Sequence, residues 1–153
     1  MKKWMLVLVA LFVSVSAFSQ SCLDDVWQCL RSNQTPKAKK FMESCMASNP
    51  DNAAVWLMQA NVNVHLYQYD LDRQQKDPSV AARYPNALED AYNAFVKALE
   101  LDPKVEPKTG MLSAQAGQKL LADPFKEKAE QAEAKGKFDE ALILFMLFEG
   151  VNC

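Results

Sequence analysis

Apolar residues recur every three to four positions over most of the chain, which is the period of an amphipathic α-helix. No segment shows the strict alternation of apolar and polar residues that a half-buried strand requires. The pattern therefore predicts an all-α protein. We place its helices near Leu23–Ser32, Pro36–Ser48, Ala53–Tyr69, Pro85–Leu101, Leu112–Leu121, Pro124–Lys135 and Phe138–Glu149.

Turn residues divide the helices into pairs. Short turns at Asn33–Thr35 and at Gly136 predict helices that run antiparallel to their neighbours. The segment Lys104–Gly110 is mostly polar, which predicts a linker. Pro124 follows Asp123 within an apolar pattern, and we expect it to kink or break a long helix there because proline cannot donate the helical hydrogen bond.

The N-terminus has the pattern of a secretory signal peptide. Lys2 and Lys3 precede the apolar run Trp4–Val13, and small residues lead to a predicted cut after Ser19. The expected product is exported to the periplasm or cell envelope. An uncleaved anchor and a lipid anchor on Cys22 are alternatives, but the apolar run is short for a membrane span. The residues just before Cys22 also lack an aliphatic side chain.

Cleavage would leave 134 residues, enough for one domain with a real core, with 15 basic and 19 acidic side chains. No basic patch stands out, which argues against a nucleic-acid partner. Only four glycines occur in the whole chain, and the remaining composition favours helices.

One helical pattern recurs along the chain. The segment Asp90–Pro103 resembles the second helix of a tetratricopeptide repeat, and Asp139–Phe145 resembles the first half of that helix. In this pattern a small residue lets two helices approach, a large one four positions later fills the groove, and proline ends the unit. The same slots are occupied more loosely by Ala38, Met42, Cys45 and Pro50.

The resemblance implies a short tetratricopeptide-like α-solenoid over residues 20–153, with units at about 22–50, 53–103 and 111–153. The spacing departs from the family, because Ala38 and Ala91 are 53 residues apart and Ala91 and Ala141 are 50 apart. A plain repeat has a period of about 34 residues. We place the excess around Gln68–Asn86 and around Val105–Leu121. An unrelated helical bundle with Ala-rich packing is the alternative.

If the resemblance holds, the protein is a scaffold that binds a protein or peptide in a groove lined by the first helix of each unit. In the middle unit, Leu57, Asn61, Val64 and His65 would point into this groove, and Asn61 would bond a ligand backbone. A second hypothesis is a structural subunit of a larger envelope assembly.

Chemistry for catalysis or metal binding is scarce. His65 is the only histidine, which makes a metal site or a catalytic triad a poor fit. Asp70, Asp72 and Asp77 do not form a calcium loop, because the central Gly is missing and Ala81 stands where a bidentate Glu is needed. We therefore expect no catalytic residue, metal or cofactor. A thiol-active or hydrolytic enzyme is the third hypothesis, without a Cys-X-X-Cys motif to support it.

The cysteines allow two interpretations. Cys22 and Cys29 lie seven residues apart on one helix, about 10 Å along its axis, which is too far for a bond. If the first two helices form a hairpin, Cys22 lies opposite Cys45, and export would permit a Cys22–Cys45 disulfide. The alternative is that these cysteines are small buried residues. Labelling Cys29 and Cys153 with a thiol reagent tests the thiol-enzyme hypothesis, because inert cysteines would exclude redox chemistry.

The last helix carries seven consecutive apolar residues, Leu142–Phe148. One stripe should pack inside its own unit, and we expect it to consist of Ala141, Leu142, Phe145 and Phe148. The remaining apolar side chains would form an exposed docking face, a feature that usually marks an interface. This face would consist of Ile143, Leu144, Met146 and Leu147. It would contact a further repeat, a second copy of the chain, or a partner protein.

Overall fold

The computed structural model describes residues 20–152, so the expected signal peptide and Cys153 lie outside the described residues. The described chain forms helices and no strand, which confirms the all-α prediction. The first helix, α1, covers residues 20–31. It is followed by α2 at Thr35–Ser48, α3 at Ala53–Lys76, α4 at Ala87–Leu101, α5 at Ala114–Ala134 and α6 at Phe138–Asn152.

Both predicted tight turns are present. After α1, Asn33 adopts a left-handed conformation (φ 56°), and the Gln34 amide donates to the carbonyl of Cys29 at 2.8 Å. After α5, Gly136 does the same (φ 74°), and the Lys137 amide donates to Ala132 at 2.9 Å. These bonds satisfy carbonyls that the end of a helix leaves without partners.

A disulfide joins α1 to α2. Cys22 and Cys45 are bonded, with their Cα atoms 5.9 Å apart, so the disulfide interpretation is the one that the structure shows. Cys45 is also fully buried, whereas Cys29 is a buried free thiol. The hairpin of α1 and α2 is therefore held both by this bond and by apolar packing.

Helix α3 is seven residues longer than the sequence predicted. The polar stretch after Tyr69 continues as helix to Lys76. Asp70 explains this, because its buried carboxylate accepts the Tyr84 amide at 2.6 Å and pairs with Arg73 at 3.1 Å. The cations Arg73 and Lys76 in the last turn also suit the negative end of the helix.

The predicted break at Pro124 is wrong, because α5 runs unbroken from Ala114 to Ala134. A proline inside a helix costs about 3 kcal/mol. The side chains on either side of it, Leu121 and Phe125, are almost completely buried. Burying two such side chains is worth about 3–6 kcal/mol, which offsets the cost of the proline.

Each helix packs on its neighbours along the chain, with the most extensive contacts within the pairs α3–α4 and α5–α6. Helices α3 and α5 also touch each other. One core cluster joins α1, α2 and α3 around Val26, Met42 and Met58. The other joins α3 to α6 around Phe95 and Phe125. Within the described residues, no helix is long and apolar enough to cross a membrane.

Candidate functional site

A cleft lies between α3 and α5. Its apolar half has a volume of about 370 Å³ and is walled by Val64 and Leu71 on α3 and by Leu120 and Pro124 on α5. Leu120 is 52% exposed, although it is a large apolar side chain facing a neighbouring helix. An exposed leucine on the wall of a cleft is available to pack against a bound apolar group.

The polar half of the cleft continues from the apolar half and has a volume of about 390 Å³. The two halves share Tyr67, Leu71 and Glu127 as lining residues. The polar half lies where the end of α3, the 77–86 loop and the start of α4 meet α5 and α6. Its other polar lining residues are Asp70, Gln74, Tyr84, Asn86, Glu89, Lys128, Gln131 and Glu140.

The cleft is built largely from the segments that depart from the repeat spacing. Leu71 and Gln74 lie in the extension of α3, within the excess predicted around Gln68–Asn86. Leu120 and Leu121 lie at the end of the other excess segment, Val105–Leu121, and belong to the unbroken helix α5. Part of the excess thus lengthens two helices that touch, and these added lengths contribute Leu71, Gln74 and Leu120 to the walls of the cleft.

Carboxylates dominate the electrostatics of the polar half. Glu89 pairs with Lys128 at 2.9 Å through Oε1, while its Oε2 is buried and has no hydrogen-bond partner in the described part of the chain. Glu127 accepts a hydrogen bond from Gln131 Nε2 at 3.2 Å. Burial raises the pKa of Tyr67, and the nearby Glu127 and Glu89 carboxylates raise it further. The Tyr67 hydroxyl therefore lies in a negative potential.

Two of the predicted groove residues are buried. Leu57 is 1% exposed and Asn61 is 2% exposed, which corrects their expected position in an open groove. Asn61 does bond a backbone, but it belongs to the same chain. Its Nδ2 donates to the Leu112 carbonyl at 3.1 Å, and its Oδ1 accepts from the Leu112 amide at 2.9 Å.

The linker after α4 covers this part of α3. Lys108 forms an ion pair with Asp24 of α1, and Met111 contacts both core clusters. Gly110 lies so close to Trp27 that an added Cβ would be 3.2 Å from the indole ring. The linker was predicted as a polar connection, but it is a packed segment that occupies the surface beside α1 and the first half of α3.

The other two predicted groove residues lie differently. Val64 is half-buried and lines the apolar half of the cleft. His65 is exposed on α3 and does not belong to the cleft lining. Partial desolvation lowers the pKa of the His65 imidazole. Of the four predicted residues, only Val64 is placed where it can contact a ligand in the cleft.

The exposed face of α6 is shifted from the predicted one. Leu144 is buried at 3% exposure, and Leu147 is half-buried against the core, so neither belongs to an exposed face. Ile143 and Met146 are exposed as predicted, and Leu142 joins them instead of packing inward. The error was in helical phase. Residues three, four and seven positions after Ala141 share its face, whereas the next residue does not.

Sequence reasoning missed most of the cleft. Leu71, Leu120 and Pro124 were assigned to a loop or to helix ends, and Glu89 and Glu127 were given no role. One signal was available: Leu120 and Leu121 are adjacent apolar residues before a proline. Adjacent side chains of a helix point about 100° apart, so Leu120 and Leu121 need not face the same neighbouring helix.

Among residues 20–152, no group of three or more His, Cys, Asp or Glu side chains is arranged to hold a metal ion. Asp70 and Asp77, considered above as calcium ligands, instead bind the backbone amides of Tyr84 and Ser79. Comparison with protein-family models, curated proteins and solved structures finds no match to this chain.

Proposed function

We propose that the protein is an exported scaffold of the tetratricopeptide type that binds a protein or peptide in the α3–α5 cleft. The observation that carries this proposal is the continuous cleft with Leu120 exposed on its wall. A concave site with apolar walls and a few polar groups is the usual form of a ligand site. The role is binding and not catalysis, and it needs no cofactor.

The helix packing supports the repeat part of the proposal. Helices pair as α3–α4 and α5–α6, and successive pairs meet through α4–α5 and α3–α5. A stack of repeats has this pattern, because each unit contacts only its neighbours. The small residues expected at the close approaches, Ala91, Ala98 and Ala141, are buried.

The Cys22–Cys45 disulfide supports export. Disulfides persist in oxidising compartments such as the periplasm and are rare in the cytosol. Together with the signal-like sequence of residues 1–19, the bond favours the bacterial envelope as the site of action.

Selection of peptides on the purified protein tests the binding role. A phage-displayed library of random dodecapeptides is selected on the immobilised protein, and the strongest peptide is measured by fluorescence anisotropy. We expect Leu120→Asp to weaken its binding about tenfold or more, since the change places a charge on an apolar wall. Leu142→Asp is the matched control, because Leu142 is similarly exposed (61%) but lies on α6.

Equal binding to the wild type and to Leu120→Asp would reject the cleft as the binding site. Failure to select any peptide that binds the protein would reject the binding role itself. Circular dichroism of both variants ensures that a loss of binding is not a loss of fold.

A second candidate function is docking through α6 as a subunit of an envelope assembly. Its support is an exposed apolar face that consists of Phe138, Leu142, Ile143 and Met146. A contiguous exposed apolar face of this kind usually marks an interface. Light scattering during size-exclusion chromatography tests self-association: a monomer at all concentrations would reject a dimer formed through this face.

A further inference from the structure

The polar half of the cleft contains an anionic oxygen that the described chain leaves unsatisfied. Glu89 Oε2 is buried and has no hydrogen-bond partner there, although Oε1 is bonded to Lys128. Buried polar atoms are nearly always bonded to protein, water or a ligand. The Glu89 carboxylate is therefore only partly hydrogen-bonded within the described residues.

The charge of Glu127 is not balanced locally. Its only hydrogen bond within the described residues is to the neutral amide of Gln131, and no described cation lies within ion-pairing distance. The other acidic residues of the polar half are paired, Asp70 with Arg73, Glu140 with Lys137 and Glu89 with Lys128. Among the carboxylates that line the polar half, Glu127 is therefore the one whose charge no described cation balances.

Tyr67 lies where the apolar and polar halves of the cleft meet. The Glu127 and Glu89 carboxylates both lie close enough to raise the pKa of its hydroxyl, and both line the polar half of the cleft. A phenol at this position can accept a hydrogen bond from a cation through its oxygen and can attract the cation with its ring.

These features together indicate the chemistry of the ligand. An acidic side chain would be repelled from the polar half, and an apolar one would remove water from Glu127 without replacing its hydrogen bonds. We propose that the cleft binds a peptide that places a lysine or arginine beside Glu127 in the polar half and an apolar side chain against Leu120 and Val64. This inference rests on the proposed function and specifies its ligand.

The geometry limits the spacing within such a peptide. The two halves of the cleft share Tyr67, Leu71 and Glu127, so the basic and apolar side chains must come from nearby positions. An extended peptide advances about 3.3–3.6 Å per residue. The two side chains should therefore be separated by roughly one to four residues.

The composition of the selected peptides tests this proposal first. We expect the pool selected on the wild-type protein to be enriched in Lys or Arg within four positions of Leu, Ile, Phe or Met. Enrichment of acidic residues, or a frequency of basic residues equal to that of the unselected library, would overturn the proposal.

A charge-removing variant then tests the site. We expect Glu127→Gln to weaken binding of the strongest peptide about tenfold and to reduce its salt dependence, because a charge-assisted interaction is lost. Glu133→Gln on the same helix is the matched control, since Glu133 is exposed and lies outside the cleft lining. Replacing the basic residue of the peptide with Gln should weaken binding to wild type and have little further effect on Glu127→Gln.

Different results would reject the binding of a peptide in the cleft and the recognition of its basic residue. Peptides that depend on Leu120 but bind Glu127→Gln as tightly as the wild type would overturn the basic-residue inference and leave the peptide-binding role intact. Peptides that are indifferent to Leu120→Asp would reject the cleft as the site of binding.

Discussion

Asn61 of α3 holds the backbone of Leu112 by two hydrogen bonds, although the residues are 51 positions apart. The side-chain amide donates to the Leu112 carbonyl and accepts from the Leu112 amide, at 3.1 and 2.9 Å. The same Nδ2 also donates to the Leu57 carbonyl at 2.9 Å. This buried residue therefore fixes the position at which the linker approaches α5.

The Asn61 bonds predict a stability effect. Asn61→Ala leaves the Leu112 amide and carbonyl without these partners, and we expect the free energy of unfolding to fall by about 1–3 kcal/mol. Urea denaturation measures this change. Asn93→Ala is the control, because Asn93 is exposed on α4 and should change stability by at most about 0.5 kcal/mol. Equal effects of the two substitutions would contradict the role of Asn61.

The disulfide predicts a redox-dependent stability. Cys22 and Cys45 are 23 residues apart, and closing a loop of that size typically stabilises a fold by about 3 kcal/mol. We expect reductant to lower the melting temperature of the wild type and Cys22→Ser to be destabilised by a similar amount. Reductant should leave the melting temperature of Cys22→Ser unchanged. Free thiols at both positions, found by mass mapping without reductant, would refute the bond.

Gly117 permits the close packing of α4 on α5. The ring of the fully buried Phe95 lies against its Cα, and a Cβ added there would overlap the ring. Gly117→Ala gains about 1 kcal/mol in helix propensity, but overpacking costs about 1–3 kcal/mol, so we expect net destabilisation.

A double-mutant cycle isolates the contact between Gly117 and Phe95. In a Phe95→Leu background the smaller side chain makes room, and Gly117→Ala should cost less than it does in the wild type. Thermal unfolding of the four proteins gives the coupling. Additive effects would show that Phe95 is not what excludes a Cβ at this position.

His65 predicts a pH dependence. Because desolvation lowers its pKa in the folded protein, the unfolded chain binds a proton more readily once the pH falls below about 6.5. The free energy of unfolding should therefore decrease as the pH falls from about 6.5 through the folded-state pKa, and His65→Gln should remove this component. The chain has one histidine, so its NMR titration is unambiguous. A midpoint above 6.5 would contradict the prediction.

Local patterns in the sequence predicted the features that depend on nearby residues. Helical period, a glycine at the end of α5 and an asparagine after α1 each act within one turn of chain. The sequence left two interpretations of Cys22 and Cys45, a disulfide or two small buried residues, because their pairing depends on how α1 and α2 meet. The structure shows that the two helices do form the expected hairpin.

The wrong predictions of helix ends have a different cause. Helix α3 continues past Tyr69 because Asp70 is bonded to Tyr84, which lies 14 residues further along the chain. Helix α5 passes through Pro124 because Leu121 and Phe125 are buried against other helices. Neither partner is visible in a window of one or two turns, so the local rules for helix ends gave the wrong boundaries.

The sequence alone determined the helical class and the main turns, because hydrogen bonding within a helix and the conformational freedom of Gly136 are local properties. Tertiary structure decided where the cleft lies. The linker covers the first half of α3, where Asn61 bonds the backbone of Leu112. The cleft lies instead between the end of α3 and α5. The physical reason is that a cleft is the space left between packed helices, and its walls are set by contacts between residues far apart in sequence.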